Sequence, residues 1–303
     1  MATPFRLEQD LIQVQQLRDV LRRPAELPRR AEITVASYNV YNLFGESAER
    51  PKPEEQLDAL GEMVLKLNAD IISFAEVEDV ETLKNLFRSR VNNELEGDDK
   101  YDAFICVPAN DPRGINVAMA TRLSVRGKMS FSDREFGSME ERATRFSRDL
   151  LGVKIQATPD ADSSFLYFAG HLKSKIGDER AEEKRRMEAG EVINILTEPT
   201  FGDQPFMDQR LLFAGDMNDD PDSSVIDVLK DGGLDDLFAA VRPNDTYPTS
   251  LPRRRHPSTR LDYLFASAAM KPRVSRLQIR RDDPADEASD HYPISAAVRV
   301  VCR

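Results

Sequence analysis

The chain has 303 residues, of which 40% are hydrophobic and 31% charged, and its formal net charge at pH 7 is −11. This length can bury a sizeable core, and the composition is that of an ordinary globular protein rather than a disordered or fibrous one. The acidic balance excludes a protein that coats nucleic acid by bulk electrostatics, which requires a basic surface. It still allows a nuclease that holds its substrate through a bound metal ion and a few local cations.

The first 30 residues are predicted to form a helix followed by a proline-rich strap. Within 8–22, leucine and valine recur at helical spacing, and Pro24 and Pro28 end the pattern. This region shows no signal peptide, and the chain has no run of 18 apolar residues that could span a membrane. We therefore expect no membrane anchor, and a cytoplasmic protein if the chain is complete as written.

Residues 31–303 are predicted to form one catalytic domain, because no flexible linker divides them and reactive residues come from both halves. Strand-like and helical segments alternate in each half. The predicted strands are 31–39, 70–77, 101–107, 115–121, 165–171, 211–216, 260–267, 274–280 and 294–301. The predicted helices are 54–68, a segment through 80–91, 178–197 and a short one from 222. Two halves of similar order predict two packed sheets with helices outside, and we expect a monomer.

Reactive side chains follow the apolar runs in several of these strands. They are Asn39, Glu76, His171, and Asp216 with Asn218, while Asp290 and His291 stand just before the last strand. Ligands gather at the carboxyl ends of strands in sheets with helical crossovers, because the loops there aim polar groups from a rigid core. Gly170 and Gly215 precede two of these residues, and we expect them to let the backbone turn tightly beside a ligand.

The residue types favour a particular chemistry. Carboxylate oxygens and asparagine amides suit a hard cation such as Mg²⁺, whereas zinc would require a histidine and cysteine cluster that this chain lacks. The chain has three histidines and two cysteines, and it contains neither a GxxxxGK[ST] loop nor a GxSxG elbow. The pattern therefore predicts a hydrolase that splits a phosphate ester with a metal-activated water.

Six sequence blocks carry a resemblance to a known family. They are SYNVYNLF, SFAEVED, GHLKSK, AGDMNDDP, RLDYLFAS and SDHYPI, in this order along the chain. Together they resemble the motifs of the endonuclease/exonuclease/phosphatase superfamily, which has the deoxyribonuclease I-like fold. The resemblance implies an α/β fold, a four-layered sandwich of two packed mixed sheets flanked by helices.

The resemblance also implies a divalent metal site. Glu76 corresponds to the glutamate that holds the metal, and Asn39 to the asparagine beside it that supports metal or phosphate. Asp290 is assigned as a further acid at the metal. The expected ion is Mg²⁺, with Mn²⁺ and Ca²⁺ as alternatives.

The remaining motif residues are assigned catalytic roles by the same resemblance. Asp216 and Asn218 correspond to the pair that orients the nucleophilic water and a phosphate oxygen. His291 corresponds to the closing histidine and Asp262 to the carboxylate that orients it. His171 corresponds to a second histidine, which stabilises the phosphate or protonates the leaving oxygen.

Further residues are candidates for substrate contact. Asn42, Arg113 and Lys173 are assigned to the substrate phosphate, with a local hydrogen bond or ion pair as the alternative for Asn42 and Arg113. The basic run 253–256, which includes His256, is expected to be a solvated loop. Arg185, with its neighbour Arg186, is expected to lie on a charged surface face of its helix.

One position departs from the abasic-site repair branch of the family, which has an acid two residues after the first asparagine. This chain has Tyr41 there, and it contains no tryptophan, so any stacking on a base would fall to tyrosine or phenylalanine. The sequence thus favours a Mg²⁺- or Mn²⁺-dependent phosphodiesterase, a nuclease acting on DNA. The alternatives are a phosphatase or a phospholipid or small-molecule phosphodiesterase on the same fold, and an inactive binding module.

Overall fold

The computed structural model describes residues 31–139, 142–175, 179–199, 204–241, 248–252 and 258–301. The predicted N-terminal helix and strap and the basic run with His256 lie outside these residues. Within them, no helix is long and apolar enough to cross a membrane.

The first sheet has six strands in the spatial order β13-β14-β1-β2-β4-β3. Its central pair, β1 and β2, is parallel, and the other neighbours are antiparallel. The strands are β1 Glu32–Leu43, β2 Ile71–Val77, β3 Ala103–Cys106, β4 Asn116–Thr121, β13 Val274–Ile279 and β14 Ile294–Arg299. The apolar runs predicted to be strands in this half of the fold therefore form one mixed sheet.

The second sheet also has six strands, in the order β11-β12-β10-β9-β8-β5, and its parallel pair is β9 and β10. Its members are β5 Ser124–Ser130, β8 Leu151–Gln156, β9 Ser164–His171, β10 Leu211–Asp216, β11 Asp235–Asp236 and β12 Asp262–Ala266. A separate ribbon joins β6 Glu135–Met139 to β7 Arg142–Arg145. Each sheet thus contains one central parallel pair.

Apolar side chains occupy three layers of packing. One cluster fills the space between the two sheets, and one lies on the outer face of each sheet, where helices cover it. The helices are α1 Glu54–Leu67, α2 Val80–Leu86, α3 Glu179–Thr197, α4 Ser224–Asp231, α5 Leu237–Val241 and α6 Ala285–Ala288. The four-layered α/β sandwich is confirmed.

The strand ends need two corrections. Asn39 does not end its strand, because β1 continues to Leu43 with an irregular register from Asn39 onward. Gly170 and Gly215 do not form turns, because they lie inside β9 and β10 and pair with each other. A Cβ on Gly215 would come within 1.9 Å of the Gly170 carbonyl oxygen, and the φ of Gly215 is 145°. Close approach of the two backbones, rather than a turn, therefore requires glycine at this position.

Gly215→Ala is expected to lower the free energy of unfolding by about 3 kcal/mol or more, since the added methyl group would strike backbone at an unfavourable φ. Gly190→Ala is the matched control, because it lies within α3 and its added Cβ would meet no atom within 4 Å. The control should gain about 0.5–1 kcal/mol. Urea unfolding followed by circular dichroism measures both changes, and equal effects would contradict this explanation of Gly215.

Candidate active site

Asp216 is the centre of the candidate site. It ends β10 beside His171, which ends the parallel strand β9. Its Oδ2 accepts a hydrogen bond of 2.9 Å from Asn39 Nδ2 on the other sheet, and its Oδ1 accepts one of 2.8 Å from the backbone N–H of Asn218. Burial raises the pKa of Asp216 to about 6, although the nearby charge of His291 acts in the opposite direction. One buried carboxylate therefore joins the strand ends of both sheets.

His291 forms a buried dyad with Asp262. Its Nδ1 lies 2.7 Å from Asp262 Oδ2, and its Nε2 lies 3.8 Å from Asp216 Oδ2. Burial alone would lower the pKa of His291, but the charges of Asp262 and Asp216 outweigh it and raise that pKa to about 9. The Asp262 contact fixes the ring so that Nε2 faces Asp216.

His171 approaches Asp216 from the neighbouring strand. Its Nε2 lies 3.5 Å from Asp216 Oδ2, and its buried Nδ1 has no hydrogen-bond partner among the described residues. Burial lowers the pKa of His171 well below its usual value, and the charge of Arg148 acts in the same direction. The pKa values of the two histidines are thus shifted in opposite directions, that of His171 down and that of His291 up.

Glu76 lies next to this centre on the first sheet. Its Oε2 accepts a hydrogen bond of 3.1 Å from the Asn42 backbone N–H, and its Oε1 lies 4.0 Å from Arg113 Nη2. Among the described residues, six non-glycine residues have a positive φ, and four of them belong to this site: Tyr41, Asn42, Glu76 and Asn218. Strained backbone of this kind occurs mostly at functional sites, and it persists only where surrounding contacts hold it in place.

Two sets of residues are relevant to a metal ion. Asp216, Asp262 and His291 each offer a ligand atom, all within 4.8 Å of one another. Since Asp262 already bonds His291, we interpret this group as one that handles protons. The carboxylate of Glu76 and the amide oxygen of Asn39 are hard oxygen donors, so their chemistry fits Mg²⁺ or a similar ion. Their assignment as ligands stays a prediction.

Arg113 belongs to a chain of charged groups that links the two sheets. Both its backbone N–H and its Nε donate to Asp111 Oδ1, at 2.9 and 3.2 Å. The other Asp111 oxygen lies 2.9 Å from Nε of the buried Arg148, whose Nη1 donates to the Leu172 carbonyl oxygen just after His171. The Arg113 side chain is half exposed, and its contact with the substrate phosphate stays a prediction.

Helix α3 fixes the loops that follow β9 and β10. Arg185 was expected on a surface face, but it is buried, and its Nε donates to Asp219 Oδ2 at 2.7 Å. Glu188 on the same helix accepts a 2.6 Å hydrogen bond from the backbone N–H of Lys173. The expectation for Arg185 was wrong because its charged partner comes from a distant loop; Arg186 is exposed, as expected. Lys173 is half-buried near His171, and its phosphate role stays a prediction.

The SDH block contacts Asn39 through a serine. Ser289 Oγ donates to the Asn39 carbonyl oxygen at 2.7 Å and accepts from the His291 backbone N–H at 3.2 Å. Asp290 lies beside them, half-buried, and its carbonyl oxygen accepts from the Leu251 backbone N–H. Asp290 as a metal ligand stays a prediction.

Sequence reasoning missed four positioning residues. Three of them are Arg148, Asp111 and Ser289, whose contacts are described in the preceding paragraphs. The fourth is the buried Lys52, whose Nζ donates to the carbonyl oxygens of Val40 and Tyr41. Arg148 and Asp149 directly precede the apolar run that contains β8, and a charged pair at that place could have drawn attention to Arg148. Nothing around Lys52, which stands between two prolines, indicates its role.

A two-sheet α/β sandwich with carboxylates and histidines gathered at its central strand ends is the arrangement of deoxyribonuclease I-like hydrolases. The chain belongs to the Endonuclease/Exonuclease/phosphatase family, whose model matches residues 36–291. That family is hydrolytic and generally depends on divalent metal. No curated protein matches the chain in sequence.

Several solved structures share the fold. A humanized TDP2 from D. rerio is 14% identical with a TM-score of 0.62, covering 88% of this chain and 99% of its own. An AP endonuclease from Archaeoglobus fulgidus is 17% identical with a TM-score of 0.59, and the match covers 88% of this chain and 100% of that protein. The mannosyl-6-phosphatase Bt3783 from Bacteroides thetaiotaomicron is 19% identical with a TM-score of 0.59, and the match covers 87% of this chain and 98% of that protein. At these identities the likeness shows the fold alone.

Proposed function

We propose that this protein is a divalent-metal-dependent phosphodiester hydrolase that acts on DNA. The observation that carries the proposal is the convergence on Asp216 Oδ2 of Asn39 Nδ2 at 2.9 Å, His171 Nε2 at 3.5 Å and His291 Nε2 at 3.8 Å. A buried carboxyl group, an imidazole whose pKa is lowered and an imidazole bound to a carboxylate lie at one point, and such a group suits proton transfer to and from oxygen.

Asp216 takes up the proton that the attacking water loses, and the His291–Asp262 dyad stabilises the charged form of that carboxylate, because the pKa of His291 is raised. They act as one titrating unit because His291 Nε2 faces Asp216 and Asp262 holds the opposite ring nitrogen. The Asp262 contact orients the ring and stabilises the imidazolium form of His291.

The phosphoryl group is held by residues around this unit. Asn39, Asn218 and His171 stabilise the negative charge that builds on its oxygens. A divalent ion held by Glu76 and Asn39 would supply further neutralisation of that charge when bound. Arg113 contacts the phosphate from the exposed side, with Asp111 and Arg148 orienting its guanidinium.

The choice of DNA rests on the relatives of this fold. Two of the similar structures are an AP endonuclease and a TDP2 complexed with a single-strand DNA product. Another is a mannosyl-6-phosphatase, so a phosphatase is the second candidate. None of the assigned catalytic residues is missing from the chain, which argues against an inactive binding module.

A substrate panel tests this function. It consists of plasmid, single-stranded DNA, RNA, sphingomyelin, inositol phosphates and the bis- and mono-nitrophenyl phosphates, each with Mg²⁺ or Mn²⁺. We expect DNA to be cleaved and the nitrophenyl diester to be hydrolysed well above the monoester, as the proposed phosphodiesterase function requires. A reversed preference, with inositol phosphates as the best substrates, would assign the protein to the phosphatases, and no turnover of any substrate would favour a binding module.

A further inference from the structure

An aromatic side chain stands exposed beside the candidate site. Tyr41 is the one large hydrophobic residue of the described chain that is exposed, with 40% of its surface open to solvent. It follows Asn39 by two residues, and its neighbour Asn42 donates its backbone N–H to Glu76. The ring therefore emerges from the rim of the site, next to the residues assigned to metal and phosphate.

The backbone beneath this ring is held from several sides. Tyr41 has a φ of 48° and Asn42 a φ of 55°, and a bulky residue is unfavourable in this region. The Tyr41 backbone N–H donates to Asn39 Oδ1 at 3.1 Å, and its carbonyl oxygen accepts from Lys52 Nζ at 3.0 Å. Residues of the site thus fix the position of the exposed Tyr41 ring. Glycine or asparagine would adopt this backbone conformation at a lower cost than tyrosine.

Lys52 also contacts the ring itself. Its ammonium lies 5.8 Å from the centroid of the Tyr41 ring, within the range of a cation–π interaction. Because Lys52 is only 5% exposed and bonds two carbonyl oxygens, it cannot move away freely. The ring is thereby oriented before any ligand arrives.

The charge of the protein explains why such a ring is useful. With a net charge of −11, the chain gains little from long-range attraction to a polyanion. Stacking on a base needs no net charge, and the chain has no tryptophan that could provide it.

We propose that Tyr41 stacks on an unpaired nucleobase next to the scissile phosphate and so makes single-stranded DNA the preferred substrate. A base within a duplex is already stacked on its neighbours, and exposing it costs a few kcal/mol. This inference rests on the proposed function, because it names the form of DNA that the same site accepts.

The test compares two single-stranded oligomers of equal length, oligothymidylate and one with abasic tetrahydrofuran units around the cleavable phosphates. The ratio of their kcat/KM values is measured with Mg²⁺ for the wild type, Tyr41→Asn and Tyr41→Phe. Asparagine removes the ring but tolerates the left-handed backbone, and phenylalanine keeps the ring without its hydroxyl. We expect Tyr41→Asn to lower the preference for the base-bearing oligomer about tenfold, through KM, and Tyr41→Phe to retain it.

Two results would overturn the inference, and they differ in what they imply for the DNA assignment. An unchanged ratio in Tyr41→Asn, with the wild type cleaving oligothymidylate, would remove the stacking role and leave the DNA assignment intact. A wild type that hydrolyses a nitrophenyl diester but cleaves neither oligomer would overturn the DNA assignment and the role of Tyr41 with it.

Discussion

Asp216→Asn is expected to lower kcat/KM on a phosphodiester about 10³-fold. The substitution keeps the size of the side chain but removes its charge. Since Asp216 Oδ2 accepts from Asn39 and faces both histidines, an amide group at that position would oppose a donor and could not accept a proton. The effect should appear in kcat, because it removes a group that acts on the proton in the transition state.

The matched control for this variant is Asp227→Asn. Asp227 is exposed on α4, where it pairs with Lys230, so its loss should change kcat/KM by less than about twofold. Circular dichroism and thermal unfolding establish that both variants fold. An Asp216→Asn protein with the rate of its parent would show that proton transfer occurs elsewhere.

Glu76→Gln is expected to raise the Mg²⁺ concentration for half-maximal rate by about 10-fold to 100-fold. The variant loses the charged oxygen that a hard cation prefers but can still accept the Asn42 hydrogen bond. The quantity to measure is diester hydrolysis as Mg²⁺ is titrated into protein freed of metal.

Glu78→Gln provides the control on the same segment. Glu78 accepts a 2.7 Å hydrogen bond from the Gly45 backbone N–H and is assigned no ligand role, so its Mg²⁺ dependence should match that of the wild type. If Glu76→Gln and Glu78→Gln give the same Mg²⁺ dependence, the metal is not held by Glu76.

Hydrophobic periodicity predicted most of the elements that form the core. The pattern over 54–68 predicts a helix, and α1 spans Glu54–Leu67 with its apolar face on the first sheet. The runs ending at His171 and Asp216 are strands β9 and β10, which lie side by side. Such local patterns are reliable because burial of one face decides both the element and its orientation.

The detailed site depends on contacts that no local pattern contains. The irregular part of β1 after Asn39 makes hydrogen bonds to Glu76 and Lys52, and Lys52 stands 13 residues after Asn39 in the chain. Arg148 reaches Asp111 across 37 positions of sequence. The sequence therefore predicted which side chains gather at the candidate site, whereas long-range pairing determines how they are oriented.

Metal-dependent phosphodiester hydrolysis is the activity that we propose for this site. Its most direct test is the initial rate of the wild-type protein on bis-nitrophenyl phosphate with saturating Mg²⁺, followed by excess EDTA and then by renewed Mg²⁺. We expect hydrolysis with Mg²⁺, its loss in EDTA and its recovery when Mg²⁺ is restored. Full turnover in excess EDTA would contradict it.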